Sequence, residues 1–413
     1  MTPETPDLFQ DVERLAARLL PAPRPRRSAR TVRVLHVIRA GRGREAKHLR
    51  LLLKHLDRET FEPTVVASGL EAPAYLDTLR AMDVPVIDLP MHASLNAPED
   101  LAAMQFLMAL LRRGHFDVMH LHGHKAALVG RPAARITSTR SVVYTPHGFD
   151  FLRSHSPRAR QLALRVERTL GRFTHAMICA SREEADVARR LRLVPAARVH
   201  TVPDGVDFDE LPQHVDNVEV RRTLGISCAT RLITMTGKLE APKDPGTLLR
   251  ASRHVLVPSP WNHIVLVGDG NLIPFCRDLA RQLDVGRQVI CTGYRADATA
   301  ISSTSAIHIL SAHDGGPTLS LLEGMAQGKP LIASDTPGIR EVVSHGKTGV
   351  LVPAADERFL SGALLKLIED EDLARRLGEA AQAYVRQHHP IDRWIRGIET
   401  VTLKTLRRRR RRR

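Results

Sequence analysis

The feature that most constrains the fold is an alternation of short apolar runs with longer amphipathic runs, which occurs once in each half of the chain. The apolar runs have the length and the β-branched composition of buried strands. The clearest ones occupy residues 32–38, 64–67, 84–87 and 118–121, and the pattern stops near 202–207 before restarting at 232–236, 263–267 and 289–292. Strands that alternate with helices predict parallel sheets covered on both faces. We therefore expect an α/β fold with two doubly wound, Rossmann-like parallel-sheet domains that face a cleft.

The same patterns divide the chain of 413 residues into five segments. Two domains are the natural expectation at this length, because each can bury a core of its own. The expected segments are a leader and Pro/Arg linker at 1–30, an N-terminal domain at 31–205, a C-terminal domain at 206–385, a helix at 386–406 and a poly-Arg tail at 407–413.

Composition excludes several classes of protein. A hydrophobic fraction of 43% is too high for a disordered chain, and the sequence has no run of about 18 uncharged apolar residues that could span a bilayer. Residues 1–20 carry four acids and no central apolar block, so we expect no signal peptide and a cytoplasmic location. The four cysteines are widely spaced, which favours buried free thiols over zinc ligands or disulfides. The three-glycine dinucleotide fingerprint is absent, which argues against an NAD-dependent reductase.

The chain is strongly basic, with 61 Lys and Arg against 45 Asp and Glu and a net charge of +16. Seven consecutive arginines form residues 407–413, and a second basic patch lies at 24–30. Runs of like charge are normally extended and solvated, and their partners are anionic lipid headgroups or nucleic acid. Aromatic residues make up only 4% of the chain and none interrupts the tail, so bases have nothing to stack on. We therefore favour an anionic membrane surface over nucleic acid as the partner, with a purely solvated tail as the remaining alternative.

The segment 314–330 carries the most specific chemistry. It opens with an aspartate, two glycines and Pro317, which predicts a strand-to-helix turn with the proline in the first helical turn, and Glu323 follows one to two turns later. The glycines allow a ligand to approach the backbone, and the N–H groups at a helix start attract an anion. Glu323 could then accept hydrogen bonds from hydroxyls joined to that anion. Phosphate together with sugar hydroxyls is the chemistry of a nucleotide sugar, although a core helix after a glycine turn gives the same pattern.

Together with residues 330–343 and 346–353, this segment resembles the nucleotide-binding half of the retaining GT-B glycosyltransferases of family 4, also called glycosyl transferases group 1. That family carries two glutamates with seven residues between them, and the sequence Glu-Gly-Met-Ala from Glu323 matches the second one. The first departs from the pattern, because Asp314 replaces Glu and eight residues separate the two carboxylates. The resemblance covers about residues 32–400.

The resemblance implies a role for each residue that matches a family motif. Lys238 and Lys243 stand five residues apart where the family has an Arg and a Lys directed at the diphosphate. Lysine supplies the charge without the bidentate fork of arginine. His147, in a His-Gly pair after a predicted strand, would contact the transferred sugar. The implied catalytic residues are His147, Asp314, Lys238 and Lys243, and the implied donor-binding residues are Gly43, Gly293, Tyr294, Gly315, Gly316, Thr318, Leu319 and Glu323.

The resemblance also implies a division of labour between the domains. The N-terminal domain would lie on the acceptor side, the C-terminal domain would bind the nucleotide sugar, and the helix at 386–406 would cross back to the first domain. Glu323 would orient the ribose of the nucleotide, while Asp314 would hold sugar hydroxyls.

Three closely spaced histidines, His120, His122 and His124, lie at the end of a predicted strand. No carboxylate or cysteine at ligand spacing completes a metal site with them, and zinc and similar ions usually need three or four converging ligands. We therefore expect no metal, and no cofactor besides the nucleoside diphosphate sugar that serves as donor substrate.

The sequence thus indicates a hexosyltransferase that moves a sugar from a nucleoside diphosphate sugar to a glycan or lipid-linked acceptor, as in polysaccharide or other surface-glycan synthesis. We expect a cytoplasmic protein that lies peripherally on the inner face of the cell membrane. Two alternatives stay open. One is a catalytically inactive protein that binds a sugar nucleotide, because of the departures at Asp314 and Lys238. The other is a basic nucleic-acid-binding protein.

Overall fold

The computed structural model describes residues 31–39, 41–153, 156–313 and 318–410, which form two compact units. The first unit comprises the chain up to Ala180, Glu184–Val202 and the chain from Ile395 onwards. The second unit comprises Ser181–Glu183 and Pro203–Trp394. Each unit is built around one parallel sheet.

The sheet of the first unit has seven strands in the order β3-β2-β1-β4-β5-β6-β7, and all neighbouring strands run parallel. The strands are β1 Val32–Ile38, β2 Phe61–Ala67, β3 Val86–Asp88, β4 Val118–His122, β5 Ser141–Thr145, β6 Ala176–Cys179 and β7 Val199–Thr201. The helices between them are α1 Gly43–His55, α2 Pro73–Arg80, α3 Ala97–Gly114, α4 Gly123–Ile136, α5 Pro157–Gly171 and α6 Arg182–Arg190.

The sheet of the second unit has six strands in the order β10-β9-β8-β11-β12-β13, again all parallel. The strands are β8 Arg231–Thr236, β9 Asn262–Val267, β10 Val289–Gly293, β11 Ile307–Leu310, β12 Leu331–Ser334 and β13 Val350–Val352. The helices are α7 Asn217–Thr223, α8 Pro245–Leu256, α9 Ile273–Gln282, α10 Ala298–Ser303, α11 Leu319–Ala326, α12 Glu357–Glu369 and α13 Glu371–His388, and the chain continues in α14 Ile391–Arg410.

In each sheet the winding direction reverses at one place. In the first sheet, β1 lies between β2 and β4, and in the second sheet β8 lies between β9 and β11. Sheets of this kind bind ligands outside the carboxyl ends of the strands at the reversal. The loops after β1 and β4, and those after β8 and β11, are therefore where each unit is expected to bind ligands.

The predicted fold class, α/β with two doubly wound parallel sheets, is confirmed. Strands β4 and β11 are buried along their whole length, as expected for parallel strands covered on both faces. Among the residues that the structure describes, none of the helices combines the length and hydrophobicity needed to cross a bilayer. One expectation about the cysteines was wrong, because Cys228 is exposed while Cys179 and Cys276 are buried.

The C-terminal helix also differs from expectation. We expected a helix ending at Leu406 and an extended arginine tail, but α14 runs to Arg410 and includes the first four arginines of the run. Adding residues to an existing helix costs far less than starting one, and arginine is a good helix former. Cations are also favoured near the carboxyl end of a helix by its dipole. Residues 411–413 lie outside the described part of the chain.

A buried ion pair joins two helices of the first unit. Arg131 on α4 donates from both terminal nitrogens to the two carboxylate oxygens of Glu167 on α5, each at 2.8 Å, and neither side chain is exposed. The guanidinium carbon of Arg131 lies 4.8 Å from the ring centre of Tyr144 on β5. Removing one member of such a pair would leave an uncompensated charge in the core.

We expect Glu167→Gln to lower the free energy of unfolding by roughly 3 kcal/mol or more, because Arg131 would stay buried without an anion. Denaturant unfolding followed by circular dichroism measures this. The matched control is Glu219→Gln, since Glu219 pairs with Arg222 on the surface, where water and salt screen the pair and it contributes little to stability. Equal effects of the two substitutions would contradict the expectation.

Candidate active site

The loop after β8 brings Lys243 to the carboxyl edge of the second sheet. Gly237 has a φ of +127°, which favours glycine. A Cβ placed on Gly237 would lie 3.7 Å from Ser320 Oγ and 4.0 Å from Lys243 Nζ, so both side chains converge on this glycine. Ser311, just past β11, donates its hydroxyl to the carbonyls of Lys243 and Asp244 at 3.1 and 3.0 Å. The loop that carries Lys243 is thus fixed to the end of the neighbouring strand.

Two further glycines explain how this loop is held in place. A Cβ on Gly268 would lie 1.9 Å from the carbonyl oxygen of Gly237, and a Cβ on Gly270 would lie 2.1 Å from that of Leu239. The backbone of Leu239 donates to Asp269 O at 2.7 Å. The Gly-x-Gly sequence after β9 therefore serves close backbone packing against the loop after β8.

Helix α11 places Glu323 near the same edge. Thr318 precedes the helix, and its hydroxyl accepts a hydrogen bond from the Leu321 N–H at 3.3 Å. Gly324 lets the helix lie directly on β11, because a Cβ there would be 2.7 Å from the ring of His308. Glu323 follows one turn after the helix start and is half-buried, whereas Leu319 packs into the core.

Lys243 also acts on a buried histidine beneath this helix. Burial, together with the positive charge of Lys243, lowers the pKa of His308 on β11 to about 4. The buried imidazole is thus neutral near pH 7, and its Nδ1 lies 3.3 Å from Thr234 Oγ1 on β8. The charge that reaches the helix start therefore comes from Lys243.

Several other residues predicted to contact the donor substrate do not converge on Gly237 in this way. Lys238 is exposed and its ammonium pairs with Glu240 at 2.5 Å, so in this structure it meets a carboxylate of its own loop. Gly293, with a φ of +70°, ends β10, and the Tyr294 that follows is 58% exposed. Among the described residues, α11 begins at Leu319, and the prediction that places Pro317 in its first turn falls on a residue outside them. The predicted residues Asp314, Gly315 and Gly316 lie outside the described residues, as does Pro317 itself.

In the first unit, His147 and Gly43 follow strands at the carboxyl edge of their own sheet. His147 comes two residues after β5 and has a φ of +59°, an uncommon conformation for a residue with a side chain. Its imidazole is half-buried. Gly43 is the first residue of α1, has a φ of +79° and is exposed.

His147 belongs to a group of five histidines that we call the histidine cluster. The ring of His147 lies 4.5 Å from that of His48 and 5.8 Å from that of His122, between centroids. His36 on β1 is paired in register with His120 on β4, so their side chains share one face of the sheet. The members are His36, His48, His120, His122 and His147.

Of the three histidines that follow one another in the sequence, His120 and His122 belong to the cluster and His124 does not. His124 lies beyond the end of β4, in α4, where the alternation of side chains in a strand no longer applies, and its Nδ1 lies 3.7 Å from Glu167. His36 and His48 were missed because they lie far from residue 120 in the sequence. Ser311, Ser320 and His308 were also missed, and only the position of Ser320 in the first turn of the predicted helix could have indicated it.

Four members of the histidine cluster, His36, His120, His122 and His147, have pKa values lowered so far that they are neutral near pH 7. Burial lowers the pKa of His36 from 6.5 to about 3, with Arg58 and His48 adding to the effect. The pKa values of His120, His122 and His147 are also held well below 6.5, mainly by burial and then by neighbouring imidazoles.

Stability should therefore fall as the pH drops below about 6.5. In the unfolded chain these imidazoles bind protons near pH 6.5, whereas in the folded chain they stay neutral to lower pH, so acid favours the unfolded state. Each such histidine removes about 1.4 kcal/mol of unfolding free energy per pH unit. Denaturant unfolding in the presence of a chelator, between about pH 7.5 and 5.5, measures how the free energy of unfolding depends on pH. His36→Leu should reduce this slope by the contribution of one histidine. A level free energy over this range would contradict the prediction.

Comparisons with known proteins agree with this arrangement. The family profile "Glycosyl transferases group 1" matches residues 217–384, and the profile "Glycosyltransferase Family 4" matches residues 46–210. The structure is similar to the Anabaena Alr3699/HepE structure with UDP and glucose, with a TM-score of 0.77, 20% identity, and coverage of 91% of this chain and 100% of that one. At that identity the likeness concerns the fold.

Two curated enzymes are similar over most of their length. The UDP-Gal:alpha-D-GlcNAc-diphosphoundecaprenol alpha-1,3-galactosyltransferase of Escherichia coli is 25% identical over 72% of this chain and 77% of its own. The phosphatidyl-myo-inositol mannosyltransferase of Mycolicibacterium smegmatis is 28% identical over 67% of this chain and 68% of its own. With one family profile on each half of the chain and the two sheets described above, this chain belongs to the GT-B glycosyltransferases of family 4, glycosyl transferases group 1, and is a transferase.

Proposed function

We propose that the chain is a retaining hexosyltransferase that moves a sugar from a nucleoside diphosphate sugar to a lipid-linked or glycan acceptor, in the synthesis of a surface glycan. The observation that carries this proposal is the convergence of Lys243 Nζ and Ser320 Oγ on Gly237, beside the start of α11. A cation, a hydroxyl and the N–H groups of a helix start together favour a diphosphate.

The proposed chemistry depends on the leaving group. Negative charge develops on the diphosphate as the bond to the sugar breaks, and Lys243 and the start of α11 stabilise that charge without a cofactor. Glu323, one turn into α11, accepts hydrogen bonds from the ribose hydroxyls. His147 and Asp314 hold the hydroxyls of the sugar. The acceptor approaches the sugar from the side that the phosphate leaves, and the departing phosphate takes the proton of the acceptor hydroxyl. Lys238 adds its positive charge near the diphosphate once its ion pair with Glu240 opens.

Uridine diphosphate is the first nucleotide to test. The Escherichia coli relative is named for UDP-Gal, and the Anabaena structure contains UDP. A ligand that binds only the folded state raises the melting temperature by mass action. In a thermal-shift panel of UDP, GDP and ADP with their hexoses, we expect UDP and one UDP-hexose to give the largest rise. A chain stabilised by none of them would refute the proposed donor class.

Lys243→Ala should weaken UDP binding by about one to two decades, because a hydrogen bond to a charged group contributes about 1.5–3 kcal/mol. Turnover should fall with it, while the melting temperature without ligand stays unchanged. The matched control is Lys366→Ala, an exposed lysine on α12 of the same unit. Lys238→Ala should have a smaller effect than Lys243→Ala, since its ammonium is exposed and paired. Unchanged UDP affinity in Lys243→Ala would rule out its role.

Turnover separates the enzyme from an inactive binder. If UDP-sugars stabilise the chain but no acceptor lipid or glycan accepts a sugar, the alternative of an inactive sugar-nucleotide-binding protein is correct. If nucleic acid binds and no nucleoside diphosphate does, the nucleic-acid-binding alternative is correct.

We also propose that the arginine run binds an anionic membrane surface from the cytoplasmic side. The names of both curated relatives describe lipid acceptors. Seven arginines at 407–413 can contribute several kcal/mol at an anionic bilayer, at about 1 kcal/mol each. The attraction is screened over about 8 Å at physiological salt, so it should weaken as salt rises.

The protein should therefore sediment with anionic vesicles, be released by high salt, and ignore neutral vesicles. A chain truncated after Leu406 should lose most of this binding and keep its turnover on a water-soluble acceptor, because the residues of the donor site lie elsewhere. Equal vesicle binding by the truncated and the full chain would show that the arginine run is not the anchor, and the basic patch at 24–30 would be the next segment to delete.

A further inference from the structure

The histidine cluster of the first unit has a feature that sugar transfer does not use. His36, His120 and His122 are 2%, 1% and 0% exposed, and all three project from the central strands β1 and β4. Groups of imidazoles buried this completely are usually paired with an acid or with a metal ion, since buried polar atoms need partners. The neighbouring groups whose charge acts on His36 and His147 are arginines and other histidines, and they include Arg58 and Arg44.

The geometry of the three histidines suits one ion. One nitrogen from each can be chosen so that all three lie within 4.8 Å of one another. His36 Nδ1 and His122 Nε2 are 3.2 Å apart. Two nitrogens bound to one tetrahedral zinc ion at 2.0–2.1 Å would be about 3.4 Å apart, so this pair needs little movement to share an ion.

A further observation points to a ligand at this place. His120 Nε2 lies 2.9 Å from Thr145 Oγ1, a contact that fixes the ring and leaves Nδ1 as its other nitrogen. Metal-binding histidines usually have their second nitrogen held in this way.

We propose that His36, His120 and His122 bind one transition-metal ion of the type that prefers imidazole, with zinc as the reference ion. The ion would link β1 to β4, where the winding direction of the first sheet reverses, and its role would be structural. This proposal is independent of the proposed function and departs from the expectation of no metal.

A second group, His48, His122 and His147, could compete for the ion, since its nitrogens meet the same distance limit. His147 is half-buried, whereas all three histidines of the first group are buried. Its exposure to water makes the second group the poorer cation site. Because the two groups share only His122, substitutions of His36 and His147 distinguish them.

The test uses the full chain without a histidine tag, stripped of metal by a chelator. After one equivalent of Zn²⁺ and gel filtration, elemental analysis should find one zinc per chain, and the melting temperature should rise relative to the stripped protein. Co²⁺ in place of Zn²⁺ should give the visible absorption of a four-coordinate ion, which Zn²⁺ then abolishes. Stripped protein that retains no zinc and shows no change in melting temperature would overturn the proposal.

Variants locate the site. His36→Leu should lower zinc affinity by about 100-fold or more, and Thr145→Val, which removes only the support of His120, by about tenfold. His147→Leu should keep the zinc, as should the matched control His308→Leu, a buried histidine of the second unit. Zinc retained by His36→Leu and lost by His147→Leu would overturn the assignment. If His36→Leu does not fold, Thr145→Val and the cobalt spectrum of the unsubstituted chain decide the question.

Discussion

Parallel pairing of β1 with β4, and of β8 with β11, determines where chemistry can occur in this chain. A parallel pair cannot be closed by a tight turn, so each connection crosses the sheet through a helix. All strands of a sheet then end at the same edge, and the loops there are the parts free to vary without loss of the core. Lys243, Ser320 and the start of α11 meet at such an edge, and so do His147 and Gly43 in the other unit.

Close packing at three glycines fixes the loop after β8 and helix α11 at the carboxyl edge of the second sheet. Gly268 and Gly270 leave no room for a side chain against the loop after β8, and Gly324 leaves none between α11 and His308. Any larger residue at these places would move Lys243 or Glu323 away from the edge. In the pair Glu323-Gly324, the glycine therefore lets α11 pack closely against β11, and this packing determines where the Glu323 side chain lies.

The sequence predicted the architecture well because burial on both faces leaves an unmistakable pattern of apolar runs. Strand ends were less certain, as in β3, where the expected run 84–87 is Val86–Asp88 in the structure. The family resemblance located Glu323 and Lys243, and the structure adds Ser311 and Ser320, which no spacing rule could have linked to Gly237. The placement of Lys238 beside Glu240 depends on side-chain conformation, which a motif does not encode. The histidine cluster depends on the register of β1 against β4, a long-range relation that is absent from any local pattern.

The path of α14 has a consequence for how this protein is made. The first unit includes the chain from Ile395 onwards, with Ser141 hydrogen-bonded to Thr405, and Asp57 N donating to Glu399 at 3.0 Å. A ribosome adds about 5–20 residues per second, so the nearly 200 residues from Pro203 to Trp394 take roughly 10–40 s to synthesise. Throughout that time the first unit lacks the chain from Ile395 onwards, and at the end of it the second unit has its whole chain. The half of the protein that is synthesised first is thus the last to be completed, and a nascent chain released at residue 394 would carry a finished second unit beside an unfinished first one.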